Sequence, residues 1–409
     1  MTNLSTQPSA EVELDITGVA FGGDGVGRAD GRVIFVPFVL PGEHVRARIV
    51  KRKQRFCFAE PLAILSASPH RSSPFCPHFT SCGGCQYQHV VYDAQLRLKH
   101  IQLIDILTRI GAFPSDLPVA PFLPSPRQTR YRNRIDLHPA PDGSYGFCLR
   151  NRPRQIFPLH DCPLFELAQD FSSYPLRRPN QLLVIRTHSG APYCYFKDDH
   201  NHVTSQPFDL ATQAPLPSDD AYFDVAGLRL TTHYSSFFQV NRWMLPAFID
   251  TVVRMAAPEP HWHAVDLYCG VGIFTLALAP HVAQITGIEL HAESISRAQR
   301  NAAAAGCTNA AFAAAAAETW LARALAESRR MELCVVDPPR TGLTNKVVSA
   351  LKKIKPRVLV YISCSPDTFA RDARKFADAG YHLAAIQPLD LFPHTKHFEL
   401  VARLEFHSP

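Results

Sequence analysis

The spacing of apolar positions changes character along this chain. From Val12 to Leu65 it alternates in short runs. Leu14-Asp15-Ile16 alternates, Arg32–Val39 reads as a buried-type strand, and Val45, Ala47 and Ile49 share one face while Arg46, Arg48 and Lys51 lie largely on the other. Turn clusters at Gly22–Gly27 and Pro41-Gly42-Glu43 punctuate the runs. Several short strands in so short a span predict a small five-stranded barrel of the oligonucleotide-binding kind. The period then lengthens. Tyr92 to Ile110 carries an apolar stripe of Leu96, Leu103, Ile106, Leu107 and Ile110 and stops at Gly111, which predicts an amphipathic packing helix. Short strands and proline-rich loops follow between Leu182 and Leu230.

From about Ser235 strands and helices alternate, which is α/β grammar. Ala264–Leu267, Gln284–Glu289, Cys334–Val336 and Val358–Ile362 read as buried parallel strands, and a helix is predicted over Ser294–Ala305, stopped by Gly306. The fold expected is therefore α/β, with a Rossmann-like C-terminal domain (235–409), a central mainly-β domain (67–234) and an N-terminal OB-like barrel (1–66).

Composition narrows the class. At 409 residues, 46% hydrophobic and 19% charged, the chain is ordinary for a globular protein of two or three domains. No apolar run approaches membrane-spanning length, and the start MTNLSTQPSAEVELD lacks a basic region and an apolar core, so a cytoplasmic protein with no membrane partner is expected. Eleven cysteines in such a chain imply metal ligands, catalysis or reduced thiols rather than disulfides.

Charge is spread unevenly. Lys51-Arg52-Lys53-Gln54-Arg55 continues a basic strand beside Phe56 and Phe58, a combination suited to nucleic acid because cations follow phosphates and rings stack on bases. Arg127, Arg130, Arg132, Arg134, Arg150, Arg152 and Arg154, interleaved with Tyr131, Tyr145 and Phe147, extend that expectation into the central region.

Cys76, Cys82 and Cys85, separated by five and two residues in a loop containing Gly83 and Gly84, can converge on one metal centre. Cys162-Pro163 repeats the Cys-Pro pairing of Cys76-Pro77 and is the candidate fourth ligand. Structural zinc usually takes two separated Cys-x2-Cys pairs, so the spacing favours an iron–sulfur cluster.

Five strand termini carry the candidate chemistry. Asp266 opens a strand-to-helix turn through Gly270 and Gly272, and Glu289 ends the next strand where a carboxylate can hold ribose hydroxyls. Asp337, before Pro338-Pro339-Arg340, faces the same crevice. Cys364, in Ser363-Cys364-Ser365-Pro366 after an apolar strand, is placed as a nucleophile, and Glu399 at the start of the last strand as a general base.

Together with Phe237-Phe238-Gln239-Val240-Asn241 and Phe392-Pro393-His394-Thr395, these segments resemble, in order and over nearly the whole chain, the RNA uracil-5-methyltransferase family. The resemblance implies a class I methyltransferase domain that uses S-adenosyl-L-methionine, contacted by Gln239, Tyr268, Glu289 and Asp337. It implies a TRAM-type barrel and a 4Fe-4S cluster on Cys76, Cys82, Cys85 and Cys162, and that the 92–112 helix packs with the catalytic domain. Barrel and cluster together resemble the bacterial 23S ribosomal RNA branch more than the transfer-RNA branch. Two positions depart from the family pattern: Ile273 follows the second glycine where Asn is common, and Ala313–Ala317 replaces a polar contact.

The implied reaction is formation of 5-methyluridine in RNA by a monomeric enzyme, 23S rRNA being the expected substrate: Cys364 adds to uracil C6, C5 takes the methyl group, and Glu399 assists elimination. A transfer-RNA substrate, a 5-methylcytosine or other base product, and a non-catalytic RNA-binding assembly factor are the alternatives.

Overall fold

The alternating N-terminal stretch forms five strands, β1 (Glu11–Val19), β2 (Asp24–Ala29), β3 (Arg32–Pro37), β4 (His44–Arg52) and β5 (Phe56–Ser66). They close into a barrel of order β1-β2-β3-β5-β4, with β1 returning to β4 and β3 parallel to β5. The period-two pattern explains the interior: Leu14, Ile16, Ile34, Val36, Val45, Ala47, Cys57 and Ala59 fill it.

The computed structural model describes residues 10–140, 142–171, 178 and 180–406. They group into two compact units. The first runs to Gln102 and includes Leu149–Pro153 and Pro393–Lys396; the second comprises Leu103–Cys148, Arg154–Phe392 and the chain from His397 onward. Helix α1 (Tyr92–Arg109) is continuous across Gln102. Leu103, Ile106 and Leu107 of its stripe are buried, whereas Ile110 is exposed. A polar seam, Gln95, Lys99 and Gln102, is buried as well. Gln102 Nε2 donates to the carbonyls of Val19 (3.2 Å) and Ala20 (3.0 Å).

The central strands are β6 (Arg134–Pro139), β7 (Tyr145–Leu149), β8 (Arg152–Pro158), β9 (Leu182–Arg186), β10 (Tyr193–Lys197) and β11 (Phe208–Asp209), in the order β11-β10-β9-β6-β7-β8. A hairpin of β12 (Asp220–Val225) and β13 (Leu228–His233) follows. This region corrects the expectation of base-stacking rings. Tyr131 and Tyr145 are 0% and 2% exposed, and Phe147 packs against the sheet core. Several arginines are also structural. Arg130 pairs with Asp161 and donates to the carbonyls of Cys162 (3.1 Å), Phe165 (3.2 Å) and Leu167 (3.0 Å), and Arg134 pairs with Asp136. Buried carbonyls need donors, and a guanidinium supplies five.

The α/β pattern gives helix α2 (Leu245–Ala256) and then β14 (His263–Leu267), α3 (Ile273–Leu278), β15 (Gln284–Glu289), α4 (Ala292–Ala304), β16 (Ala310–Ala314) and α5 (Ala317–Ala326). It continues with β17 (Leu333–Val336), α6 (Asn345–Ile354), β18 (Val358–Ser363), α7 (Pro366–Ala377), β19 (Tyr381–Leu389) and β20 (Glu399–Phe406). The sheet order is β16-β15-β14-β17-β18-β20-β19. Strands β14 to β18 run parallel and β20 lies antiparallel to both β18 and β19. Strand order reverses at β14, which opens a crevice at the carboxyl ends of β14 and β17.

Candidate active site

β14 delivers Asp266, fully buried, whose Oδ2 accepts from Thr275 Oγ1 at 2.6 Å while Oδ1 has no protein partner. Burial pushes this carboxyl up to about 7. The chain then turns sharply: Tyr268 has φ +67°, Gly270 +55° and Gly272 +90°, and α3 starts directly after. Glycine meets the positive φ at 270 and 272 without strain. The turn is held from both sides. Gly270 N–H donates to Glu289 Oε2 (3.3 Å), and Asn301 Nδ2 of α4 donates to the Val271 carbonyl (3.0 Å).

Close approach explains Gly287 on β15. A Cβ there would lie 2.7 Å from the Phe312 ring and 3.0 Å from Cys269 Sγ. Cys269 itself is buried, and burial together with Asp266 and Glu289 pushes its thiol well above the ordinary range. Gln239 is 7% exposed and its carbonyl accepts from Asn133 Nδ2 at 2.9 Å. Ile273 packs against the main core, and the Ala313–Ala317 run spans the end of the edge strand β16 and the start of α5.

One strand over, Asp337 N–H donates to the Leu267 carbonyl at 3.3 Å, which fixes Asp337 beside Tyr268. Burial raises the Asp337 carboxyl to about 7. Cys364 follows β18 in a turn closed by reciprocal Ser363–Ser365 hydrogen bonds of 3.0 Å each, and α7 begins at Pro366. Buried Asp372 of α7 accepts from Tyr361 Oη (3.0 Å) and from Leu343 N–H (2.8 Å), tying the β18 end to the turn after Asp337. Glu399 is 5% exposed and pushed well above the carboxylate range by burial, with Asp337 adding to the shift.

Cys364, Asp337 and Glu399 thus form one electrostatic cluster. Burial, with Glu399 and Asp337 adding to it and Arg340 opposing through charge and a hydrogen bond, raises the Cys364 thiol to about 11. Arg340 also lowers the Glu399 shift. Arg340 carried no expected role from the sequence. Its signal was available, as a cation three residues beyond a strand-end aspartate in a proline-fixed turn.

The crevice fits a nucleoside cofactor. An unpartnered buried oxygen on Asp266, the Glu289 carboxylate at the end of β15 and a side-chain-free glycine turn are assembled at adjacent strand ends. The cysteines sit differently. Cys76, Cys82 and Cys85 belong to the first unit and Cys162 to the second. Gly84 N–H donates to Cys82 Sγ at 3.3 Å, the kind of hydrogen bond that tunes iron-bound sulfur. The donor type fits an iron–sulfur centre, while no group of three or more His, Cys, Asp or Glu side chains is arranged as a metal site among the described residues. Among those residues no helix is long and apolar enough to cross a membrane.

A seven-stranded sheet in this order, with an acidic, glycine-turned crevice at its switch point, defines an S-adenosylmethionine-dependent methyltransferase domain. The model of the tRNA (Uracil-5-)-methyltransferase family matches residues 224–405 and that of the TRAM domain residues 6–62. The chain is 31% identical to an uncharacterized RNA methyltransferase of Halalkalibacterium halodurans, over 96% of each chain. It is 31% identical to another from Thermosynechococcus vestitus, over 97% of this chain and 98% of that one. Among solved structures, the Pyrococcus abyssi tRNA (uracil-54, C5)-methyltransferase in complex with S-adenosyl-L-homocysteine is similar with a TM-score of 0.71 and 27% identity, over 96% of this chain and 100% of that one. The chain belongs to the uracil-5 family of RNA methyltransferases.

Proposed function

We propose that this enzyme converts a uridine of 23S rRNA to 5-methyluridine. The observation that carries the reading is the clustering of Cys364, Glu399, Asp337 and Arg340 at adjacent strand ends. Uracil C5 is a weak nucleophile and needs a thiolate added at C6 before it can react. S-adenosylmethionine, when bound, supplies an electrophilic methyl group to C5. Cys364 forms the bond to C6, and Arg340 stabilises the charge on its sulfur. Glu399 then takes the C5 proton, and Asp337, one strand over, faces the cofactor with its buried carboxyl. Tyr268, Gly270, Gly272, Glu289 and Gln239 line the cofactor side. Burial shifts the Cys364 thiol, Glu399 and Asp337 toward their protonated forms, so the thiol must give up its proton before it adds to C6. The target uridine leaves its stack to reach the buried thiol.

Cys76, Cys82, Cys85 and Cys162 are proposed to hold a 4Fe-4S cluster in a cytoplasmic monomer. Three thiols in one short loop and the Gly84 N–H on Cys82 Sγ support this. The cysteine loop and barrel in one chain support ribosomal RNA. Likeness to the Pyrococcus tRNA enzyme favours a transfer-RNA uridine as the second reading. Mapping 5-methyluridine in ribosomal and transfer RNA from a deletion strain decides: loss of one 23S site supports the first reading, and loss of a tRNA site replaces it.

A further inference from the structure

Between β19 and β20 the chain passes through Pro393-His394-Thr395-Lys396 and reaches Glu399 three residues later. His394 is 6% exposed and has φ +65°, a conformation that a non-glycine residue keeps only when its surroundings hold it there. Its carbonyl accepts the N–H groups of Gln86 (3.0 Å) and Tyr87 (2.9 Å). Its own N–H donates to Oε1 of Gln95 (3.0 Å), and Gln95 Nε2 lies 3.0 Å from the imidazole Nδ1. Lys396 N–H donates to Gln86 Oε1 at 3.0 Å. The Phe75 ring meets the imidazole edge-on at 4.9 Å. Because an amide N–H faces Nδ1, the neutral ring carries its proton on Nε2. Burial, aided by the Lys99 charge, keeps the ring in that neutral form by pushing it down to about 4.

Two glutamines therefore grip both ends of a short turn, and a single side chain of α1 bonds both the backbone N–H and the Nδ1 of His394. We propose that Gln86 and Gln95 are positioning residues for the proton-abstraction step, fixing the turn from which the chain enters Glu399. The inference rests on the reading of Glu399 as the base. In that step the Glu399 carboxylate takes the C5 proton, the C5–H electron pair becomes the C5=C6 double bond, and the C6–S pair returns to the Cys364 sulfur. Displacing a reacting group by about 1 Å costs on the order of 100-fold. A loosened turn slows elimination while thiol addition and methyl transfer keep their pace, so the enzyme stalls as a methylated covalent adduct.

The test is single-turnover reaction of Gln86→Ala and Gln95→Ala with substrate RNA and labelled S-adenosylmethionine, following denaturant-stable protein–RNA adduct and free methylated RNA. The expected result is an adduct lifetime roughly 10- to 100-fold longer than wild type, with label inside the adduct. Gln95→Glu, which keeps the acceptor for His394 N–H, should restore part of the release rate. Wild-type adduct lifetimes in both alanine variants overturn the inference, as does lost methylation without adduct in a natively folded variant. Should Gln95→Ala not fold, the half-exposed Gln86 decides alone. A wild-type enzyme that methylates no uridine refutes the functional reading, and this inference falls with it.

Discussion

Cys364 and Glu399 are neighbours across an antiparallel strand pair. Ser363 of β18 faces Leu400 of β20, so the next step outward brings the thiol-bearing residue beside the carboxylate that opens β20. The proposed nucleophile and base come from chain segments that run in opposite directions, and the β18–β20 pairing brings them together. Cys364→Ser is expected to lose activity by at least ~10³-fold and to form no adduct with RNA carrying 5-fluorouridine. Gel mobility under denaturing conditions reads this, and an adduct on the serine variant would remove Cys364 from its role.

Arg340 is the cation that opposes the rise of the Cys364 thiol. Arg340→Ala should lower the single-turnover rate about 10- to 100-fold. It should also move the alkaline rise of the pH–rate profile to higher pH, because the thiol loses the group that favours its charged form. A profile unchanged in position would show that Arg340 acts elsewhere.

Asp266 and Asp337 are both raised to about 7 by burial. The native state therefore binds protons that the unfolded state has released between the ordinary carboxylate range, about 4, and about 7. Stability is greatest below that window and falls as pH rises through it. Thermal melts of the cofactor-free protein should show the midpoint dropping by several degrees from pH 5 to pH 8. Asp266→Asn should flatten the drop and raise the midpoint at pH 8, and an equal slope in the variant would contradict the assignment.

For the cysteine loop, anaerobic purification is expected to give brown protein with iron and acid-labile sulfide, and Cys82→Ser should lose both. Zinc without iron in metal analysis would replace the cluster with a zinc site.

Gly287→Ala places a Cβ 2.7 Å from the Phe312 ring and 3.0 Å from Cys269 Sγ. Overpacking of this kind costs about 1–3 kcal/mol, read as a lower denaturant midpoint. Phe312 also borders Gly272, at 3.2 Å from a Cβ built there, so weaker S-adenosylhomocysteine binding in calorimetry should accompany the loss.

Much of this protein was legible in its sequence because the signals are local. The period-two runs defined the barrel interior, and the apolar strands ending in Asp266, Glu289, Asp337 and Cys364 defined a parallel sheet with chemistry at one end. Other features depend on what folding brings together. Tyr131 and Tyr145 have the chemistry of base-stacking rings, yet the central sheet buries them. The stripe of α1 marks an apolar face, but Gln95 and Gln102 are buried on the same helix because their partners, His394 and the end of β1, come from distant sequence. Arg340 gained its place at the thiol only through the β17–β18 pairing. Sequence periodicity encodes which residues leave water; the partners of a buried polar group are set by the tertiary contacts that satisfy it. For Cys364, the strand end was written in the chain, and the neighbouring Glu399 carboxylate was supplied by the antiparallel return of β20.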